Sequence, residues 1–160
     1  MPRLVAFLAE FCLYSKLKHR LRVRNPLAQS TSPRENGMSA KNKILVVDDE
    51  EALRTVLASE LEGEGYQVTT AADGQEAINI LGSLTFDLIL LDIKMPNVDG
   101  FEVLKFAKER HPETKIIMLT GFADLKNAIE SKKLGAEDFV SKPYDLVDLL
   151  TTVERVLTGV

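Results

Sequence analysis

The chain has 160 residues, 45% of them hydrophobic, and a formal net charge of -4. That length suits one domain with a real core, no apolar run approaches the roughly 20 residues a membrane span needs, and a single cysteine, Cys12, cannot form an internal disulfide, which fits a reducing, cytoplasmic setting. The charge is unevenly placed: seven basic and two acidic residues precede Met38, and thirteen basic and twenty-two acidic residues follow from there.

In chain order, Leu4 to Tyr14 is mostly apolar but interrupted by Glu10, and Lys16 to Arg24 is dense in positive charge. Asn25-Pro26 and the run Gln29 to Gly37 read as an unstructured linker, so residues 1–41 are expected to form a basic, disordered leader. A basic amphipathic segment on an anionic membrane is one reading. A signal peptide fits poorly, since Glu10 breaks the apolar region and no small-residue cleavage site is evident. A nucleic-acid arm would interleave aromatics with its cations, and none is interleaved. The simplest reading is that Met38 is the natural start and that residues 1–37 lie upstream of the true start codon.

From there the pattern becomes regular. Lys43 to Val47 is a β-branched apolar run, expected as a buried parallel strand, and it ends at Asp48-Asp49-Glu50-Glu51. A helix is expected to start in that acidic run, because acids suit a helix N-terminus, and to continue through Leu53, Val56, Leu57 and Leu61 until Gly63 and Gly65. Tyr66 to Thr70 alternates like a strand. Asp73-Gly74 opens a helix through Ala77, Ile78 and Leu81. Leu88 to Leu91 is too short and apolar for a globular helix and reads as a strand buried on both faces, with Asp92 just past its end. Pro96 lacks the N–H a ladder needs and argues against continuation of that strand, and Asp99-Gly100 leads into a helix through Phe101, Leu104 and Phe106 that ends before Pro112. Lys115 to Leu119 is a further strand, ending at Thr120-Gly121. A helix through Leu125, Ala128 and Ile129 is stopped by Gly135, Glu137 to Ser141 is a shorter strand ending at Lys142-Pro143, and Asp145 opens a last helix through Val147, Leu150, Val153 and Leu157.

Five βα units with short connections predict an α/β fold: a five-stranded parallel sheet, doubly wound, for which 2-1-3-4-5 is one common strand order. In such a sheet the carboxyl ends of the strands share one edge. Asp48 and Asp49, Asp92, Thr120 and Lys142 all fall there and would converge in one pocket. Carboxylates so close repel one another, so a cation is expected among them. Hard oxygen ligands with open positions suit Mg²⁺, Lys142 adds an ammonium, and Thr120 adds a hydroxyl donor. A cation, an ammonium and a hydroxyl around one aspartate suit a phosphoryl group arriving on a carboxylate. Each residue has a plainer reading: Asp48 and Asp49 as helix N-caps, Thr120 as a capping hydroxyl, Lys142 as a solvated surface lysine. Their joint placement at four strand ends favours the site.

The acidic part resembles the receiver domain of two-component response regulators, in the single-domain, chemotaxis-type form. The resemblance is carried by Ile44-Leu-Val-Val-Asp-Asp-Glu50, Asp87-Leu-Ile-Leu-Leu-Asp92, Met95-Pro96 with Asp99-Gly100, Leu119-Thr-Gly121, Leu134-Gly-Ala136 and Lys142-Pro143, and defines a receiver domain over residues 42–160. It implies phosphorylation of Asp92 from a histidine kinase or phosphotransfer protein. It also implies Mg²⁺ held by Asp49 directly, by Asp48 through water, by Asp92, and by the Lys94 backbone carbonyl. Thr120 would bond a phosphoryl oxygen, Lys142 would pair with it, and Thr120 with Phe139 would form a switch that reshapes the face of the fourth helix, fifth strand and fifth helix for a downstream protein or a phosphorylation-dependent homodimer. The ordinary reading of Phe139 is core packing. Two positions depart from the family's commoner residues, Gly121 for alanine and Tyr144 for phenylalanine, and neither touches the chemistry. Lys94 and Phe122 occupy positions that tune dephosphorylation in the family.

The sequence shows no P-loop lysine motif; Gly63-Glu-Gly65 follows a helix, so it is no dinucleotide fingerprint; and His19 and His111 lack metal-ligand spacing. With Val160 just after the fifth helix, direct DNA binding is not expected and output by protein contact, or relay to a second histidine protein, is. Two rivals remain. One is a receiver-fold binding module independent of phosphorylation. The other is a phosphatase of the haloacid dehalogenase type, which would want an aspartate where Lys94 stands.

Overall fold

Apolar runs and amphipathic segments alternate as expected, and the computed structural model, described over residues 41–121 and 125–159, folds them into five strands and five helices. The strands are β1 (Lys43–Val47), β2 (Gln67–Ala71), β3 (Leu88–Asp92), β4 (Lys115–Thr120) and β5 (Asp138–Ser141). The helices are α1 (Glu51–Gly63), α2 (Gly74–Leu81), α3 (Gly100–Arg110), α4 (Leu125–Lys133) and α5 (Leu146–Thr158). The strands pair in parallel in the order β2-β1-β3-β4-β5. The leader, with Cys12 and His19, lies outside the described residues, as does Phe122.

Successive strand residues point to opposite faces, and both faces are covered. Ile44, Val46, Leu88 and Leu90 pack with Leu57 of α1 and Val153 of α5. Leu45, Val47, Ile89 and Leu91 pack with Leu81 of α2 and Leu104 of α3. This two-sided burial is why β1 and β3 read as unbroken apolar runs. Each fully buried Leu or Ile side chain contributes about 2 kcal/mol from area removed from water.

Local chemistry sets where each element begins and ends. Asp99 caps α3 by accepting the Phe101 and Glu102 amide N–H groups at 2.9 and 3.0 Å, and Glu102 returns a bond to the Asp99 N–H at 3.1 Å. Asp73 and Asp145 cap α2 and α5. Gly65 and Gly135, with φ of 98° and 95°, turn the chain out of α1 and α4. Lys115 Nζ donates to the Val156 and Leu157 carbonyls at 2.6 and 3.2 Å, where a cation suits a helix C-terminus.

Some boundaries differ from expectation. The first helix starts at Glu51, after the Asp48-Asp49-Glu50 turn, and its N-cap Glu50 makes no side-chain cap bond. Tyr66 is not in β2 because its N–H closes the end of α1 on the Leu61 carbonyl at 3.1 Å. β3 and β4 run one residue further than their apolar cores, since Asp92 pairs with Leu119 and Thr120 with Ser141 in the ladder. Glu137 precedes β5, where its carboxylate takes the Ile116 N–H at 2.5 Å and Lys108 Nζ at 3.0 Å.

The turn from β3 to α3 is folded tightly onto the end of the strand. Gly100 N–H bonds the Ile93 carbonyl at 3.0 Å, and a Cβ at Gly100 would stand 2.2 Å from the Asp92 carbonyl oxygen and 2.8 Å from Ile93 Cα. Both neighbours are backbone and cannot rotate away. Gly100→Ala is therefore expected to cost about 2 kcal/mol or more of unfolding free energy. Urea denaturation checks this, and an unchanged midpoint would contradict the packing.

Candidate functional site

The parallel register brings the strand ends level with one another. Val47 pairs with Leu91, Asp92 with Leu119, and Thr120 with Ser141, so Asp48, Asp92, Thr120 and Lys142 arrive at adjacent positions on the carboxyl edge of the sheet. Backbone bonds extend the ladder past the strands, from Asp48 N–H to Ala71 O at 3.3 Å, Ile93 N–H to Leu119 O at 2.9 Å, and Lys142 N–H to Thr120 O at 2.5 Å. The backbone of the site is thus tied into the sheet on both sides of β3 and β4.

Asp48 is fully buried. One of its carboxylate oxygens accepts the Glu50 N–H at 2.9 Å and the other accepts Lys142 Nζ at 2.7 Å. Neither Asp48 nor Asp49 is an N-cap: the helix begins after them, and Asp48 ties down the turn instead. Asp49 is exposed beside the pocket. Asp92 is 4% and Thr120 2% exposed. Lys142 Nζ lies 3.5 Å from the Asp92 carboxylate and 3.7 Å from that of Glu50. The Lys94 backbone N–H bonds the Asp92 carboxylate. The Lys142-Pro143 peptide is cis.

These neighbours act in opposite directions on the charges. Burial pushes the Asp92 carboxyl above its ordinary value; Lys142 pulls it down, Asp48 adds to the rise, and burial prevails. Burial alone would lower the Lys142 ammonium, but its bond to Asp48 and the charges of Asp48, Asp92 and Glu50 outweigh that and raise it. Lys142 therefore stays charged and is a structural counterion, not a solvated surface lysine.

One ammonium against several carboxylates leaves the pocket negative. Oxygens of Asp48, Asp49 and Asp92 can all lie within 4.8 Å of one another. Three hard oxygen donors with one exposed side fit a divalent cation of the Mg²⁺ type.

Two residues carry more than their sequence context suggests. Glu50 reads as one more acid at a helix start, yet it faces Lys142. Tyr144, two residues past Lys142, places its ring against the core on the α1–α5 side, and its hydroxyl is buried with no hydrogen-bond partner among the described residues. Burial first, then the charges of Asp48, Asp92 and Glu50, raise that phenol's pKa. Phe139 is not a core residue: it is 39% exposed on β5.

Comparison with known proteins agrees with this geometry. The sequence model described as the response regulator receiver domain matches residues 44–154. The regulatory protein AtoC of Escherichia coli K12 is 36% identical over 120 residues, which are 75% of this chain and 26% of that protein. The DNA-binding transcriptional regulator NtrC of the same strain is 39% identical over 115 residues, 72% of this chain and 24% of that one. The chain thus spans about a quarter of these curated relatives. Among solved structures, a CheY-like receiver domain protein of Methanospirillum hungatei superposes with a TM-score of 0.72 at 37% identity, covering 75% of this chain and 96% of that one. The chemotaxis protein CheY4 of Vibrio cholerae superposes with a TM-score of 0.69 at 37% identity, covering 73% and 99%.

The raised pKa of Asp92 has a consequence for stability. Because the folded state holds that proton more tightly than the unfolded one, the ionised carboxylate is a cost to the metal-free fold. The cost is absent below the ordinary value of 3.8 and develops as pH rises through the raised folded value. Asp92→Asn is expected to stabilise the metal-free protein at neutral pH, with the gain shrinking as pH falls and vanishing below about pH 4. Denaturant titrations at neutral and acid pH check this; a neutral-pH loss of stability would contradict it.

Proposed function

Because the chain belongs to the response regulator receiver domain family, we propose that it is a phospho-accepting switch of two-component signalling with Asp92 as the acceptor. The observation that carries this reading is the position of Asp92: buried at the carboxyl end of β3, with Lys142 Nζ 3.5 Å away and the carboxylates of Asp48 and Asp49 beside it.

The reaction moves a phosphoryl group from a phosphohistidine of a kinase or phosphotransfer protein to an Asp92 carboxylate oxygen; the N–P bond breaks and an O–P bond forms. No proton need leave Asp92, which reacts as the carboxylate. Asp48, Asp49, Asp92 and the Lys94 carbonyl would hold Mg²⁺, which when bound neutralises charge on the phosphoryl oxygens. Lys142, already charged and poised between Asp48 and Asp92, pairs with a phosphoryl oxygen, and the Thr120 hydroxyl donates to another. The buried pocket limits the approach of water, and the family resemblance assigns Lys94 and Phe122 to positions that tune hydrolysis.

Thr120 and Phe139 form the proposed switch. Met118 pairs with Phe139 and Thr120 with Ser141, so Thr120 and Phe139 lie on the same face of the sheet. A Thr120 hydroxyl drawn toward the phosphoryl group frees space that the half-exposed Phe139 ring can take. The face it would alter holds Ile129 of α4 and Val147 of α5, 47% and 43% exposed. Apolar exposure there suits a protein partner, whether a downstream target or a second copy.

Incubation with Mg²⁺ and a small phosphodonor, followed by assay of acid-labile, base-labile phosphate, is expected to label the wild type and not Asp92→Asn; labelled Asp92→Asn would sink the assignment. Lys142→Met is expected to slow labelling by about 10²-fold while tightening Mg²⁺ binding, because the ammonium no longer competes for Asp48. Weaker Mg²⁺ binding in that variant would contradict the counterion role.

A further inference from the structure

The β3–α3 loop rests on α2 with no room to spare. Gly74, the first residue of α2, is buried. A Cβ there would lie 2.3 Å from the Val98 carbonyl oxygen and 2.8 Å from both Val98 Cβ and Val98 Cγ1. Val98 sits near the end of the segment that leaves Asp92 and returns at Gly100. Both ends of that segment are clamped, by Ile93 N–H to Leu119 O at 2.9 Å and by Gly100 N–H to Ile93 O at 3.0 Å. Its interior carries the bond from Val98 N–H to Pro96 O at 2.9 Å, Met95 and Val98 pack on the core beneath it, and Asn97 takes a φ of 67°. Lys94 lies in this span, with its N–H on the Asp92 carboxylate.

We infer that Gly74 is a positioning residue for the acidic site: the first turn of α2 is the seat that fixes the height of the β3–α3 loop, and through it the Lys94 backbone, over Asp92. The seat is itself held firmly. Asp73 accepts the Glu76 N–H at 2.8 Å, and the Glu76 carboxylate accepts the Ala72 N–H at 2.7 Å. An added methyl must therefore move the loop by roughly 1 Å to reach ordinary contact, since backbone atoms cannot rotate aside. The part of this inference that concerns Mg²⁺ rests on the proposed role of the Lys94 carbonyl. The part that concerns the Lys94 N–H does not.

The test compares full-length wild type with Gly74→Ala, and with Gly63→Ala as a control, because a Cβ at Gly63 meets nothing within 4 Å. In metal-free protein, Gly74→Ala is expected to speed exchange of the Lys94 amide about tenfold while the β1 amides stay protected. Its affinity for Mg²⁺ alone is expected to fall about tenfold. Gly63→Ala is expected to change neither. Should Gly74→Ala fail to fold, Val98→Ala loosens the same contact from the loop side without adding atoms, and is expected to shift both readouts in the same direction. A folded variant whose Lys94 exchange matches wild type overturns the seat. A wild type that does not bind Mg²⁺ overturns the metal reading, and the metal-free exchange still decides the seat.

Discussion

The ammonium of Lys142 against the buried carboxylates of Asp48 and Asp92, at 2.7 and 3.5 Å, is the interaction on which the rest of the site depends. A buried carboxylate without a partner costs several kcal/mol, and this pocket gathers two buried carboxylates and an exposed third. Lys142 offsets only part of that charge. The remainder is a standing demand for further positive charge, which a divalent cation would answer, and that cation with Lys142 would then hold an incoming phosphoryl group. The burial that raises Asp92 also keeps the site reactive, because charge interactions in a dry pocket are stronger than in water.

The sheet makes this arrangement affordable. Side chains separated by 94 positions in the sequence, Asp48 and Lys142, meet because four parallel strands end in register with their neighbours. Because both faces around Leu90 and Leu91 are apolar, it is the close packing on each face, and not polarity, that holds that register. Stability and function are opposed where the strands close: Asp48 and Asp92 stand buried where packing alone would favour an apolar residue.

Much of this was legible in the sequence for physical reasons. Buried parallel strands leave unbroken apolar runs, acids and turn residues follow them, and the strand order brings those residues together. What escaped was what depends on three-dimensional proximity. Asp92 and Thr120 prove to be ladder residues because pairing outlasts the apolar run. Glu50 faces Lys142, which an acidic run cannot reveal. Tyr144 buries a hydroxyl that finds no partner among the described residues, where its sequence context suggests only an aromatic in place of another. The tight seat between Gly74 and Val98 is a matter of tenths of an ångström, for which sequence carries no signal beyond a glycine at a helix start. Phe139, whose plainer reading is core packing, is 39% exposed and so is not a core residue.

The central claim is that one pocket both accepts a phosphoryl group and moves a distant face. Nuclear magnetic resonance of the protein with Mg²⁺ and beryllofluoride, which stands in for the phosphoryl group on Asp92, tests it most directly. The account predicts Mg²⁺-dependent shifts at Asp92, Thr120 and Lys142 that extend to Phe139 and α5. A spectrum unchanged by beryllofluoride in the presence of Mg²⁺ would contradict it.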